Sequence, residues 1–202
     1  MKGKIKLVYC DIGGVLFDEG GTKALKKDFN INLDKFREVR KKYLKKSLTG
    51  KITANELIDN VLVDINVNIK IANYNDYWAS NSKPYPNGQA MLVSVSKYYP
   101  VGILTNNMKN SLSFYRKYDH LPQIDYKAII ESSKIGYKKP DEKIYRIAEK
   151  RSGFGGDSIF FIDDREVNLE SAKKLGWHTF LYDKTKQEKS SQEILRLLEI
   201  NL

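Results

Sequence analysis

Short apolar runs alternate with amphipathic stretches along most of this chain. Five runs have the character of buried parallel strands: Ile5–Cys10, Val101–Leu104, Ala128–Ile130, Ile159–Ile162 and Thr179–Tyr182, of which the third is the weakest. Helices are predicted between them over Met91–Tyr98, Glu142–Lys150 and Val167–Leu175. The alternation predicts an α/β fold, a Rossmann-like doubly wound parallel sheet, whose strands all end at one edge.

Residues 19–85 do not follow this alternation of strands and helices. They have a helical pattern of apolar positions, first in a strongly basic stretch and then around Leu57–Leu62, and they fall between the first and second strands. We therefore predict a small helical cap over 19–85, inserted into a core domain formed by 1–18 and 86–202. The Pro84–Gly88 segment marks the return to the core. Near the end of the chain, Lys184–Ser191 is predicted to be a loop before a last helix, Gln192–Leu198.

Composition narrows the classes of protein that remain. The chain has 202 residues, a net charge of +10 and one cysteine, and its first apolar stretch ends at Asp11, too early for a signal peptide. We expect a cytoplasmic protein with no membrane segment, and no sequence feature indicates an oligomeric state. Residues 22–51 hold eleven basic and three acidic side chains. A solvated helical face explains them better than nucleic-acid binding does, because zinc-ligand spacings and RNA-binding aromatic motifs are absent from the sequence.

Acidic and polar residues follow three of the predicted strands. Asp11 ends the first and precedes Gly13 and Gly14, which would let peptide N–H groups point at an anion; a simple capped turn is the alternative. Asp163 and Asp164 end the fourth, and two adjacent acids beside Asp11 would repel unless a cation lies between them. Oxygen ligands from two strands suit Mg²⁺.

Three further residues belong to the same candidate site. Thr105 and Asn106 end the second strand, where a hydroxyl and an amide could hold phosphate oxygens or simply form a turn. Lys139, just before Pro140, could bring a cation to this edge of the sheet, although a lysine in that position is commonly no more than the start of a helix. The order Asp, Thr, Lys, Asp-Asp along the chain makes the chemical interpretation the stronger one.

These segments resemble the four motifs of haloacid dehalogenase (HAD) superfamily hydrolases. The similarity rests on Asp11-x-Gly-Gly-Val, Leu-Thr105-Asn106, Lys139-Pro140-Asp-x-x-Ile-Tyr145 and Phe-Ile-Asp163-Asp164-x-x-x-Asn168. Within the superfamily the chain is most similar to the subgroup of α-D-glucose-1-phosphate phosphatases and the N-terminal phosphatase domain of soluble epoxide hydrolases. The resemblance implies a phosphatase acting on a small phosphorylated metabolite, with sugar phosphates among the candidates.

The resemblance also implies a role for each residue. Asp11 would be the nucleophile that forms an aspartyl-phosphate. Mg²⁺ would be held by Asp11, the backbone oxygen of Gly13 and Asp164, with Asp163 holding a metal-bound water. The side chains that would neutralise the transferred phosphoryl group are those of Thr105, Asn106 and Lys139.

One position departs from the family's pattern. Most phosphatases of the superfamily have a second aspartate two residues after the nucleophile as general acid and base, and here that residue is Gly13. The chain is then a phosphatase of the branch in which glycine also occurs, a haloacid dehalogenase, or a weakly active phosphate-binding or interaction protein. The Asp163–Asp164 pair disfavours the dehalogenase, because those enzymes need no cation. Without a carboxylate at residue 13, turnover is expected to depend steeply on the leaving group.

Overall fold

A computed structural model of the protein describes residues 4–200. It contains one sheet of five parallel strands in the order β3-β2-β1-β4-β5. The strands are β1 (Leu7–Cys10), β2 (Val101–Thr105), β3 (Tyr126–Glu131), β4 (Ile159–Asp163) and β5 (His178–Leu181). The prediction of a doubly wound α/β sheet is confirmed.

All five predicted strands are present, with ends that move by one or two residues. The shifts occur because backbone pairing, rather than apolar character, decides where a strand ends. Glu131 and Asp163, for example, are polar but still pair with Thr105 and Leu181 in the ladders.

Helices connect the strands. Within residues 4–200 they are α1 (Gly21–Phe29), α2 (Leu33–Leu48), α3 (Ala54–Asp64), α4 (Tyr74–Ser80), α5 (Pro86–Ser96), α6 (Ser111–Lys117), α7 (Ser132–Ile135), α8 (Glu142–Ser152), α9 (Glu166–Lys174) and α10 (Gln187–Leu197), with a 3₁₀ turn at Gly156–Ser158. None of these helices is long and apolar enough to cross a membrane.

Both faces of the sheet are covered. Along β1, Val8 and Cys10 face the apolar cluster that includes residues of α5 and α10, whereas Leu7 and Tyr9 face the cluster formed with α8 and α9. This two-residue period is what a strand buried on both sides requires. The sheet is therefore a rigid support for whatever lies at its carboxyl edge.

Helices α1 to α4 lie in the chain between β1 and β2, and we call them the inserted helices. Their apolar side chains, including Leu57, Tyr74 and Trp78, belong to the same buried cluster as α5 and α10. Thr53 begins α3 with a reciprocal capping box to Glu56. The division into a core and a cap at residues 18/19 and 85/86 stays a prediction, but the helical character of the segment is as expected.

Two predicted boundaries are wrong. Helix α5 starts at Pro86 instead of Met91, because a proline is well tolerated in the first turn of a helix. Helix α10 starts at Gln187, so most of the predicted loop Lys184–Ser191 is helical. The buried residues in its first turns are serines. The Ser190 hydroxyl accepts a hydrogen bond from the Asp183 N–H, and the Ser191 hydroxyl lies 3.2 Å from that of Tyr182. An apolar pattern cannot show burial of that kind.

Candidate active site

The carboxyl ends of the three central strands bring the predicted residues together. Asp11 follows β1 in the middle of the sheet, and Thr105 ends β2 on one side. On the other side Asp163 ends β4 and Asp164 follows it. Asp11, Asp163 and Thr105 are buried, and Asp164 is partly exposed. Parallel neighbouring strands make this meeting unavoidable, which is why the strand pattern alone could predict it.

Lys139 connects the two acidic strand ends. Its ammonium nitrogen lies 2.9 Å from Asp11 Oδ2 and 2.6 Å from Asp163 Oδ2, and it donates to the backbone oxygen of Leu104 at 2.8 Å. Burial alone would lower the pKa of Lys139, but the carboxylates of Asp11 and Asp163 raise the pKa above its ordinary value. Lys139 therefore stays protonated, as a fixed positive charge beside Asp11.

Asn106 holds the backbone of Lys139. Its side-chain amide donates to the Lys139 carbonyl at 3.0 Å, and its Oδ1 accepts from the Lys139 N–H at 2.8 Å. Both ends of this amide are thus engaged with the chain, so the geometry makes Asn106 a support for Lys139. The Thr105 hydroxyl, by contrast, lines the cavity above Asp11.

Asp163 is fully buried, and donors surround both of its oxygens. Oδ1 accepts from the Arg165 N–H and from Asn168, and Oδ2 accepts from Lys139 and also from Asn168, all within 3.0 Å. This arrangement fixes the position of Lys139. It leaves Asp163 less free to hold a water than the sequence resemblance implies.

Three carboxylates form a cluster with the spacing of a cation site. Asp11, Asp163 and Asp164 each place one oxygen so that all three lie within 4.8 Å of one another. Asp164 also pairs with Lys184 at 3.0 Å. At Gly14, which has φ +79°, an added Cβ would lie 2.2 Å from Asp164 Oδ2, so glycine is what allows this carboxylate to approach the turn. A hard divalent cation with oxygen ligands fits this donor set.

The electrostatics of Asp11 fit a site that binds a cation. Burial, followed by the charges of Asp163 and Asp164, raises the pKa of Asp11 from 3.8 to about 7, although Lys139 acts in the opposite direction. A bound divalent cation would offset this repulsion and keep the carboxylate ionised.

A pH dependence of stability follows for the metal-free protein. Between about pH 4 and pH 7 the unfolded chain has released the Asp11 proton while the folded chain retains it, so the free energy of unfolding falls as the pH rises through this window. Asp11→Asn removes this contribution. We expect the melting temperature of the variant minus that of the wild type, in EDTA, to increase from pH 4.5 to pH 7.5. A difference that does not change with pH would contradict the raised pKa.

A cavity of about 610 Å³ lies over the acidic cluster. Its floor includes Asp11, Thr105 and Asp164, and the inserted helices close the opposite side with residues of α2 and with Trp78. Five of the residues predicted from the sequence (Asp11, Gly13, Thr105, Asn106 and Asp164) thus line one cavity together with residues of the inserted helices, whereas Lys139 and Asp163 are not part of its lining.

Glu19 is a candidate residue that the sequence analysis did not identify. Its side chain lines the cavity, and its Oε1 lies 3.7 Å from the position that a Cβ of residue 13 would occupy. The carboxylate of Glu19 therefore lies near the place where an aspartate at residue 13 would have its carboxylate. The only signal in the sequence is an acid shortly after the Asp11 motif, which could equally mark the start of the inserted segment.

The fold and the site define a class of protein: an α/β domain with an aspartate after its central strand, a buried lysine and two further acids at the carboxyl edge of a parallel sheet. The sequence matches the haloacid dehalogenase-like hydrolase family over residues 11–182. The chain belongs to that family, and the predicted resemblance is confirmed.

Comparison with individual proteins agrees with this assignment. Over 102 residues the chain is 30% identical to bifunctional epoxide hydrolase 2 of Sus scrofa, a match that covers 48% of this chain and 18% of that protein. The chain thus spans less than a fifth of the curated relatives that it matches. A HAD family enzyme of Bacteroides thetaiotaomicron, crystallised with magnesium and inorganic phosphate, has the same fold: TM-score 0.69, 20% identity, 90% of this chain and 96% of that one.

A crystal structure described as a dehalogenase is also similar, with a TM-score of 0.73 and 17% identity over the full length of both chains. The same fold thus occurs in a dehalogenase and in a HAD family enzyme crystallised with magnesium and phosphate. The magnesium prediction is supported by the Bacteroides complex and by the three carboxylates of the present site.

Proposed function

We propose that this protein is a Mg²⁺-dependent phosphatase that hydrolyses a small phosphorylated metabolite through an aspartyl-phosphate on Asp11. The observation that carries the proposal is the pairing of the three-carboxylate cluster with the buried ammonium of Lys139. A dehalogenase of this family needs no cation, so a cluster whose charges require one favours phosphoryl transfer. Sugar phosphates are among the candidate substrates.

Asp11, Asp164 and the backbone oxygen of Gly13 would hold the Mg²⁺ ion. When bound, the ion supplies positive charge that screens the phosphoryl oxygens and the acidic cluster. Lys139 supplies a second positive charge beside Asp11, at 2.9 Å from its Oδ2. Phosphoryl transfer depends mainly on such screening and on alignment.

The Asp11 carboxylate is held ready for attack. Its Oδ1 accepts a hydrogen bond from the Ile12 N–H at 2.8 Å, and its Oδ2 contacts Lys139. One Asp11 oxygen would form a bond to phosphorus while the bond between phosphorus and the ester oxygen breaks, and the alcohol leaves with the electron pair. Water then attacks the aspartyl-phosphate, which releases phosphate and regenerates Asp11. Thr105 would donate to a phosphoryl oxygen throughout.

Glu19 is the proposed partner for proton transfer. It lines the same cavity and lies where an aspartate at residue 13 would reach. Glu19 would give a proton to the departing oxygen and take one from the attacking water, which restores it for the next turnover. This role replaces the carboxylate that Gly13 lacks.

The direct test is phosphate release from p-nitrophenyl phosphate and from a panel of phosphorylated metabolites, with Mg²⁺ and with EDTA. We expect turnover with Mg²⁺ and almost none with EDTA. Chloride release from 2-chloropropionate without phosphate release would identify a dehalogenase instead. Phosphate binding with neither reaction would identify a binding protein.

The metal assignment predicts the behaviour of Asp164→Asn. Loss of one carboxylate ligand should weaken Mg²⁺ binding by at least about 100-fold, more than the 10–100-fold typical of outer partners, and activity at low Mg²⁺ should fall with it. The measurements are the Mg²⁺ dependence of phosphate release and the rise in melting temperature on adding Mg²⁺. Asp59→Asn, an exposed position on α3, is the control.

Lys184→Met separates metal binding from the ion pair with Asp164. This variant breaks the same 3.0 Å contact but keeps the carboxylate. If Asp164 binds the metal, Mg²⁺ affinity in Lys184→Met should hold or increase, since a competing cation is gone. An equal loss of Mg²⁺ affinity in both variants would show that Asp164 acts only through its salt bridge.

A further inference from the structure

The cavity over Asp11 is lined by more positive charge than one phosphate needs. Six cationic side chains reach it, from α2 and from the loops at the carboxyl edge of the sheet: Arg40, Lys41, Lys45, Lys138, Arg165 and Lys184. The carboxylates that line it are those of Asp11, Glu19 and Asp164. The buried ammonium of Lys139, which contacts Asp11, adds to this positive charge.

Some of these cations already have partners. Lys184 pairs with Asp164, and the Arg40 guanidinium lies 5.1 Å from the centre of the Trp78 ring. Among residues 4–200, Lys45, Lys138 and Arg165 form no ion pair with an acidic side chain. The Lys138 ammonium donates only to the neighbouring carbonyl of Lys139, at 3.2 Å.

Lys138 lies close enough to Arg165 and to Lys45 to be repelled by both, and all three side chains line the same cavity. Lys138 is partly buried, and burial, followed by the charges of Arg165 and Lys45, lowers the pKa of Lys138. They come from three separate parts of the chain: α2, the loop before Pro140, and the residue after Asp164. Like charges that have no ion-pair partner of their own repel one another in the free protein, and an anionic ligand would relieve that repulsion.

The three cations lie beside the residues that are proposed to hold the scissile phosphate. Lys138 adjoins Lys139, which contacts Asp11, and Arg165 adjoins Asp164 of the metal cluster. Lys45 approaches from the inserted helices, on the other side of the cavity. A substrate bound through its phosphate at Asp11 would thus have a second part within reach of all three.

We propose that Lys45, Lys138 and Arg165 form a second anion-binding subsite, and that the substrate is a phosphate monoester carrying a further anionic group, a phosphate or a carboxylate. The inference rests on the proposed phosphatase function. The Arg165 guanidinium can bind either group through two parallel hydrogen bonds, and the two lysines add point charges. A neutral sugar ring would leave the three charges without a partner, so the subsite selects against simple sugar monophosphates.

The experiment compares kcat/KM for matched substrates in the wild type with Mg²⁺. A sugar monophosphate is compared with the corresponding bisphosphate, and glycerol phosphate with phosphoglycerate, so that the two pairs distinguish a second phosphate from a carboxylate. We expect at least one substrate that carries the second anionic group to exceed its partner in kcat/KM by about 10- to 100-fold, the effect of one or two charge-assisted contacts. Equal kcat/KM within both pairs would overturn the subsite while leaving the phosphatase function intact.

Lys45 and Lys46 provide a matched pair of variants. They are neighbouring exposed lysines on α2, but only Lys45 lines the cavity. Lys45→Ala should raise KM for the preferred substrate about tenfold and change KM for p-nitrophenyl phosphate much less, whereas Lys46→Ala should change neither. Equal losses in both variants would mean that only the general field of the inserted helices acts, and would overturn the subsite.

Calorimetric binding of the bisphosphate to wild type in EDTA, compared with Lys45→Ala, tests the subsite without turnover. Binding that depends on Lys45 supports the subsite, even if no phosphate is released from any substrate. The absence of phosphate release would overturn only the proposed phosphatase function. Binding that is the same in both proteins would overturn the subsite.

Discussion

Replacing Asp11 by asparagine is expected to abolish phosphate release, with a loss of about 10⁴-fold or more, because the variant has no oxygen that can form the covalent intermediate. The change keeps the size of the side chain and its hydrogen bond from the Ile12 N–H. Lys139 loses one of two carboxylate partners but keeps Asp163 and the Leu104 carbonyl. The variant should therefore remain folded. It should still bind Mg²⁺, but more weakly than the wild type does.

Two measurements connect this loss to covalent chemistry. Wild-type protein quenched in acid during turnover should show the mass of one added phosphoryl group, and Asp11→Asn should not. The far-ultraviolet circular dichroism of both proteins should coincide, which excludes misfolding as the cause. Wild-type turnover in Asp11→Asn would require a different nucleophile, and the proposed mechanism would then be wrong.

Much of the site could be predicted because it depends on strand ends. Apolar runs that stop at Asp11, Thr105 and Asp163 are visible in the sequence, and parallel strands must end at a shared edge. Right-handed crossovers bring those strand ends to one edge, and on that basis the acids were expected together, whereas the strand order β3-β2-β1-β4-β5 comes from the structure.

The loops that complete the site could not be placed in the same way. The two hydrogen bonds between Asn106 and the Lys139 backbone join segments 33 residues apart, and no local pattern indicates such a contact. The same holds for the hydrogen bond from Lys139 to Asp163, 24 residues away, although the other two donors to Asp163, the Arg165 N–H and Asn168, are local. Long-range hydrogen bonds of this type are a property of the folded loops and not of any one segment.

The inserted helices show a second limit of sequence patterns. Lysines lie on several sides of α2, so the helix period cannot show that Lys45 lines a cavity while Lys46 does not.

The position of Glu19 is a third feature that the sequence pattern could not predict. Its carboxylate reaches the space beside Gly13 only because the chain turns back after Phe17, whose carbonyl accepts a hydrogen bond from the Gly14 N–H.

The position of Glu19 reverses one expectation from the sequence. Without a carboxylate at residue 13, turnover should depend steeply on the pKa of the leaving group, since alkoxides leave poorly unless they are protonated. With Glu19 beside Gly13, the wild type should instead hydrolyse alkyl and aryl phosphates with similar kcat/KM. Glu19→Gln should restore the steep dependence, with a loss of about 10²- to 10⁴-fold on an alkyl phosphate and a much smaller loss on p-nitrophenyl phosphate.

Gly13→Asp in the Glu19→Gln background completes the test. Gly13 does not have a positive φ, and a Cβ at this position meets only Glu19 Oε1, at an ordinary 3.7 Å, so the backbone tolerates the aspartate. The double variant should regain activity on alkyl phosphates, because the new carboxylate occupies the space beside the leaving oxygen. Glu38→Gln, an exposed position on α2 away from the cavity, should leave the series unchanged. The decisive measurement is kcat/KM across four leaving groups in these proteins. Equal losses on every leaving group in Glu19→Gln would mean that Glu19 acts in binding or folding, and no recovery in the double variant would show that the proton comes from elsewhere.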